Sequence, residues 1–264
     1  MKSQLVILLI LVSSLLATTD ADQQCDNLLQ QCSQFKTKCS PSTTTIRSCC
    51  DLTDFPASKA PSGVYQIVLS NGSCELSQFI TESTVNANVY CDMDTTDGGW
   101  MVIQRNINDG VKTFDKKWRD YEEGFGDLNG NKLWYGLKAL NRITEMSQWE
   151  LRIEFTFEDN KQDHFYYKRF KVGNAIEGYP LTVEIRSGLD PISQSMGMKF
   201  STKDNDNDKD SSNCAASLGS GWWYRGCALG INPNHQPPQT RYSSRDRNLR
   251  SIEMKIRPHN CVMN

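Results

Sequence analysis

The chain has 264 residues, enough for one large domain or two small ones with a sizeable core. Acidic and basic residues nearly balance, at a net charge of −2 with 23% of positions charged. That evenness excludes a basic nucleic-acid surface, and no lysine/arginine block marks a membrane-binding patch.

The chain opens with Met1-Lys2, an apolar stretch from Leu5 to Ala17 and a small residue again at Ala21. So short a run suits a signal peptide over 1–21 better than a membrane span. No second stretch is long enough to span, so a secreted, extracellular protein without membrane insertion is expected. Ten cysteines in an exported chain read as disulfides rather than as a metal cluster or a catalytic thiol.

From 22 to 47 lies a cysteine-rich arm. Cys25, Cys32 and Cys39 recur every seven residues, with Leu28 and Phe35 three positions after the first two. This is an a/d heptad pattern with cysteine at a. On a helix, neighbouring cysteines at that spacing stand roughly 10 Å apart, beyond the ~7 Å between Cα atoms that a disulfide spans. They must therefore bond another chain or a distant segment. A short helix is marginal alone, which favours a disulfide-linked homo-oligomer through Cys25, Cys32 and Cys39. An irregular knot within one chain is the other arrangement. Pro41 and the Ser/Thr run at 42–45 end the arm, and a domain is expected over 48–258 with a tail at 259–264. Asn71-Gly72-Ser73 is a glycosylation sequon at Asn71 or an unmodified turn.

Three stretches alternate apolar and polar residues. Trp149, Leu151, Ile153, Phe155 and Phe157 share one face; Leu181, Val183 and Ile185 share another; so do Ile252, Met254 and Ile256. Such alternation predicts strands with one buried face, most simply antiparallel. Leu133, Trp134, Leu137 and Leu140 fall at helical spacing, as do Trp118, Tyr121 and Phe125. The fold class is therefore α+β.

The stretch FSTKDNDNDKDSSNC at 200–214 carries Asp204, Asp206, Asp208 and Asp210 at alternate positions. In an extended loop these carboxylates point the same way, and calcium suits such a set of hard oxygens. A solvated acidic turn without metal is the alternative. An EF-hand starting at Asp204 needs glycine at its sixth position and glutamate at its twelfth; Lys209 and Ala215 stand there. Cys214 and Cys227 are placed to close a small loop that holds the end of the acidic run.

STKDNDNDKDSSNCA followed by GSGWWYRGC resembles the calcium-loop region of the fibrinogen C-terminal domain shared by ficolins, tachylectins, angiopoietins and tenascins. VYCDMDTTDGGWMVIQR, FDKKWRDYEEGFGDL, KLWYGLKALNRIT, FKVG and the closing IEMKIRP agree with that family in order, from about Cys49 to Pro258. The resemblance implies a twisted antiparallel sheet, short helices, a disulfide-bonded N-terminal subdomain and a loop-rich, Ca²⁺-binding C-terminal region. It assigns calcium to the side chains of Asp206 and Asp208 and the backbone carbonyls of Asp210 and Ser212. It pairs Cys214 with Cys227 and pairs Cys91 with Cys49 or Cys50, leaving the other of those two for Cys74. It also places a shallow ligand pocket around Gly226 and Cys227, where lectin members take acetyl groups of sugars.

At that pocket the sequence departs from the family. Ala228 stands where a histidine is common, Leu218 where an acidic or aromatic residue is common, and Gly226 where a polar side chain is. The stretch usually reading N-L-N-G-x-Y is missing from the short segment between Cys227 and Arg250. Trp222 and Trp223 read as core, and Tyr224 is a candidate to line a remodelled cleft. The resemblance implies a calcium-binding, ficolin-like lectin that recognises glycans or acetylated surfaces in innate immunity. The alternative is an angiopoietin- or tenascin-like ligand for a protein receptor. A hydrolase is disfavoured, since neither G-x-S-x-G nor H-E-x-x-H occurs.

Overall fold

The computed structural model describes residues 46–53, 60–69, 85–185, 192–227, 230–235 and 249–261. Residues 1–45, which hold the expected leader and Cys25, Cys32 and Cys39 of the expected arm, lie outside the described residues, as do the sequon at Asn71, Cys74 and Ala228. A 3-10 turn, Cys49–Leu52, precedes β1 (Gly63–Leu69), β2 (Val85–Asp92) and β3 (Trp100–Ile107). Then come helix α1 (Trp118–Glu123), β4 (Phe125–Gly126), β5 (Lys132–Trp134) and helix α2 (Leu137–Met146). Strands β6 (Trp149–Phe157), β7 (Gln162–Val172) and β8 (Leu181–Ile185), helix α3 (Cys214–Leu218) and β9 (Leu249–Pro258) complete the order.

The nine strands form one antiparallel sheet in the order β1-β2-β3-β9-β6-β7-β8, with β5 on β3 and β4 on β5. The last strand thus enters the centre, between β3 and β6. Period-two alternation explains the two faces. Leu151, Ile153, Met254 and Ile256 go into the core, where Leu137, Leu140 and Ile143 of α2 join them. Those helix positions recur at three-residue steps, and buried Thr144 follows Leu140 by four, the stripe an amphipathic helix needs. The helix ends at Ser147, whose backbone is extended, and the Trp149 indole N–H donates to the Ile143 carbonyl at 2.9 Å. A C-terminal carbonyl without an intrahelical partner is thereby satisfied. Asn141 and Thr144 bond the Val172 backbone at 2.9 and 3.1 Å and fix α2 to the end of β7.

Two of the helical assignments need correction. Leu133 and Trp134 lie on β5, and only Leu137 and Leu140 on the helix that follows; Phe125 lies on β4, after α1 has ended at Glu123. Gly124 and Gly136 separate strand from helix here and Gly126 ends β4, all three at positive φ. The reversals they permit cut short what reads as one helical stripe.

Candidate functional site

The acidic loop rests on an aromatic floor. The Phe200 ring lies 5.0 Å from Tyr121, 5.5 Å from Trp134 and 5.0 Å from Trp223 between centroids. Each buried polar atom of that floor has a partner, as burial demands. The Trp223 indole donates to the Tyr179 carbonyl at 2.7 Å and the Trp222 indole to Ser195 Oγ at 3.0 Å. Tyr121 donates to the Phe114 carbonyl at 2.7 Å and accepts from the Gly221 N–H at 2.9 Å. Ser201 and Trp222 exchange both backbone hydrogen bonds, at 2.9 and 3.1 Å, and so tie the start of the loop to the segment after α3.

From this anchor the alternation of Asn and Asp sorts side chains between two directions. Asn207 turns back to the floor, its Nδ2 donating to the Phe200 carbonyl at 2.8 Å and its N–H to Ser201 Oγ at 3.0 Å. Asn213 donates to the Thr202 carbonyl at 3.1 Å while its Oδ1 caps α3 through the Ala216 N–H at 2.9 Å. Asp206, Asp208 and Asp210 take backbone donors along the loop. Asp206 Oδ1 accepts the Asp208 N–H at 3.2 Å, and Asp208 Oδ1 accepts that of Asp210 at 2.8 Å. Asp210 Oδ1 accepts that of Ser212 at 3.3 Å. Asp208 also receives the Cys214 N–H at 2.9 Å, and Asp210 the Cys227 N–H at 3.4 Å. The Cys214–Cys227 disulfide, with Cα atoms 4.8 Å apart, joins the two ends.

Electrostatics distinguish these carboxylates. Desolvation raises the Asp208 pKa, and the neighbouring Asp206 charge adds to it against the N–H groups of Cys214 and Asp210. Asp210, fully exposed, is held low by the N–H groups of Cys227 and Ser212. For Asp204 burial pulls upward, but the Trp118 N–H and the Thr202 hydroxyl outweigh it and the pKa is lowered. Asp206 and Asp208 therefore form a repelling pair of hard oxygen donors beside the outward Asp210 and Ser212, a donor set that fits a calcium ion. Asp210 also lies within 4.8 Å of the sulfurs of Cys214 and Cys227. Those sulfurs are bonded to each other, and only a thiolate is a strong metal ligand.

The expected ligand pocket is arranged differently. Tyr224 is 3% exposed. Its hydroxyl donates to the Ser220 carbonyl at 2.8 Å and receives Asn232 Nδ2 at 2.6 Å. Burial pushes its pKa up to about 12. It is a core residue, which corrects its assignment to a cleft. Gly226 is buried too, and the half-buried Cys227 directs its N–H to Asp210 rather than to open solvent. Cys49 is bonded to Cys91 and Cys50 to Cys261, so Cys50 is not the partner of Cys74. The reason is spatial: β9 ends beside the 3-10 turn, bringing the Cys261 Cα to 5.7 Å from that of Cys50.

Sequence reasoning missed two polar assemblies. The Pro233 carbonyl accepts from Gln104 and Asn106 at 2.9 Å each, and Asn234 Nδ2 donates to the Gly221 carbonyl at 3.1 Å. The Asn232-Pro233-Asn234 turn signal pointed there. The second assembly lines a cleft of about 300 Å³ on the sheet face opposite the core. The Lys255 ammonium lies 2.6 Å from Asp92, 2.8 Å from Glu154 and 3.0 Å from Glu253. Arg105 pairs with Glu253 and stacks 4.6 Å over the Tyr90 ring. Burial would lower the Lys255 pKa; the three carboxylates reverse this and raise it.

An antiparallel sheet with its last strand inserted centrally, closed by disulfides and carrying an acidic loop on an aromatic floor, defines a fibrinogen-like globe. The protein belongs to the family of the C-terminal globular domain of fibrinogen beta and gamma chains, whose pattern matches residues 65–259. Tenascin-R of Gallus gallus is 37% identical over 210 residues, covering 75% of this chain and 14% of that protein. Fibrinogen C domain-containing protein 1 of Mus musculus is 41% identical over 156 residues, covering 56% and 34% respectively. For fibrinogen-like protein A of Apostichopus parvimensis the identity is 37% over 191 residues, covering 69% and 62%. The chain thus spans less than two thirds of each of these relatives. The fibrinogen-like globe domain of human ANGPTL6 superposes with a TM-score of 0.66 at 26% identity, covering 83% of this chain and 98% of that one. Lamprey fibrin D-dimer, complexed with the peptide ligand Gly-His-Arg-Pro-amide, shares the fold at a TM-score of 0.62 and 23% identity, covering 98% and 91%.

Proposed function

We propose that this chain is a secreted, non-catalytic recognition protein whose binding face is steadied by calcium on the 206–212 loop. The repelling Asp206–Asp208 pair carries the reading, because a divalent cation offsets that repulsion. Asp206 and Asp208 would hold the ion by side chains, and Asp210 and Ser212 by carbonyls. The bound ion supplies charge neutralisation; this chain's own residues, through Cys214–Cys227 and the Asn207 anchor, hold the loop in place. Three disulfides fit an oxidising, extracellular setting. No helix among the described residues is long and apolar enough to cross a membrane.

The partner is a protein surface rather than an acetylated sugar. Burial of Tyr224 favours this, since its hydroxyl is committed inside the domain. Cys49, Cys50, Cys91, Cys214, Cys227 and Cys261 are paired with one another, which leaves Cys25, Cys32, Cys39 and Cys74; covalent oligomers would form through the arm, at Cys25, Cys32 and Cys39. Such assembly multiplies weak contacts into avidity. A glycan array with and without chelator, run beside capture of extracellular proteins, tests the reading. Protein capture lost with chelator supports it; calcium-dependent retention on acetylated sugars would establish the lectin instead.

A further inference from the structure

Of the alternating aspartates, Asp204 reaches furthest out of the loop. Its Oδ1 accepts the N–H of Trp118, 86 residues away in sequence, at 2.8 Å. The same oxygen takes the Thr202 hydroxyl at 2.8 Å. Next to it the Lys203 ammonium lies 3.0 Å from the Asp115 carboxylate and donates to the Asp115 carbonyl at 3.0 Å. Two successive loop residues thus grip the backbone where α1 begins. The Trp118 indole leans on Tyr179 and Phe200, with centroids 5.9 and 6.4 Å away. Phe200 is the residue whose carbonyl anchors Asn207. Tyr179 closes the circuit by donating to Glu122 on the same helix at 3.0 Å.

We infer that Asp204 is a positioning residue rather than a calcium ligand, and that it couples calcium occupancy of the 206–212 loop to helix α1 and the Trp118 side chain. The inference rests on the calcium reading above. Its geometry is local. Thr202 and Asn205 exchange backbone hydrogen bonds at 2.9 and 3.1 Å, so Asp204 sits inside a closed turn. Fixing the chain from Asp206 onward fixes that turn, and with it the carboxylate that holds Trp118. The first amides of a helix lack intrahelical partners, so the Trp118 N–H depends on Asp204. Its exchange rate therefore reports the coupling directly.

Hydrogen exchange and calorimetry with Ca²⁺ alone, on the full-length protein and three variants, test this. In the unaltered protein calcium slows exchange both over 206–214 and, by about threefold or more, over 115–123. Asp204→Ala keeps calcium affinity within about threefold and keeps protection of 206–214, but loses it over 115–123. Asp204→Asn, which retains an acceptor oxygen, restores that protection with little change in affinity. Asp206→Asn, by contrast, weakens calcium about tenfold or more. The proposal is overturned if Asp204→Asn weakens calcium as much as Asp206→Asn, because Asp204 is then a ligand. It is equally overturned if calcium protects the loop while leaving 115–123 unchanged. Absence of any calcium uptake removes the underlying reading as well, and calorimetry separates that outcome from the other two.

Discussion

At Lys255 one outward side chain of β9 meets three carboxylates within 3.0 Å while only 3% exposed. Replacing it by methionine strips Asp92 of its cation and leaves Glu154 and Glu253 only Arg152 and Arg105, which costs about 3–5 kcal/mol for a buried charge group. Urea denaturation of Lys255→Met should show a loss of this size; an unchanged midpoint would mean that the cleft is more solvated than its geometry indicates. Asp92 belongs to the same group. Burial pulls its pKa up, yet the Lys255 charge and the Thr95 donors prevail and hold it at about 2, below the ordinary value of 3.8. A depressed carboxylate stabilises the fold fully above the unfolded pKa and loses that contribution as pH falls through the folded one. Stability should therefore decline between about pH 4 and pH 2, and Asp92→Asn should flatten that limb of the profile. Alternation along β9 gives the direction in which Lys255 points. It is silent on how deeply neighbouring strands bury it, which depends on the strand order. Tyr224 is the reverse case, a polar-tipped aromatic whose partners, Ser220 and Asn232, become visible only in three dimensions.

Among the elements, β6 and β9 were legible because β6 alternates along its length and β9 from Ile252 to Arg257, and the two pair from Trp149↔Pro258 to Phe157↔Leu249. The β4–β5 hairpin was not, because two and three residues are too few to display a period. What makes it is Gly126, at φ 93° with the position of a Cβ only 2.1 Å from the Lys132 carbonyl oxygen. Gly126→Ala should cost on the order of 2–4 kcal/mol, through backbone shift and loss of the positive φ. Thermal unfolding measures it, and a variant as stable as the parent would show that the hairpin tolerates a wider opening. The acidic loop was legible as chemistry, from four aspartates in alternation. Its internal division was not: the asparagines anchor inward, and Asp204 bonds α1. Both depend on the aromatic floor beneath them.

For the molecule as a whole, motif order gave the fold, while cysteine connectivity cannot be derived from sequence alone. Cys50–Cys261 links residues 211 apart, tying the segment after the central strand to the turn before β1. Peptide mapping under non-reducing conditions should recover Cys49–Cys91, Cys50–Cys261 and Cys214–Cys227. A Cys50–Cys74 peptide in their place would contradict this closure. A non-reducing gel tests the arm, with a ladder expected that collapses on mutation of Cys25, Cys32 and Cys39; a monomer band from the unaltered protein would end the covalent-oligomer proposal. The most direct test of the central claim is titration calorimetry of the purified protein with Ca²⁺. Saturable uptake of one ion per molecule, abolished in Asp206→Ala, is the predicted result. No heat of binding, or the same heat in both proteins, would contradict it.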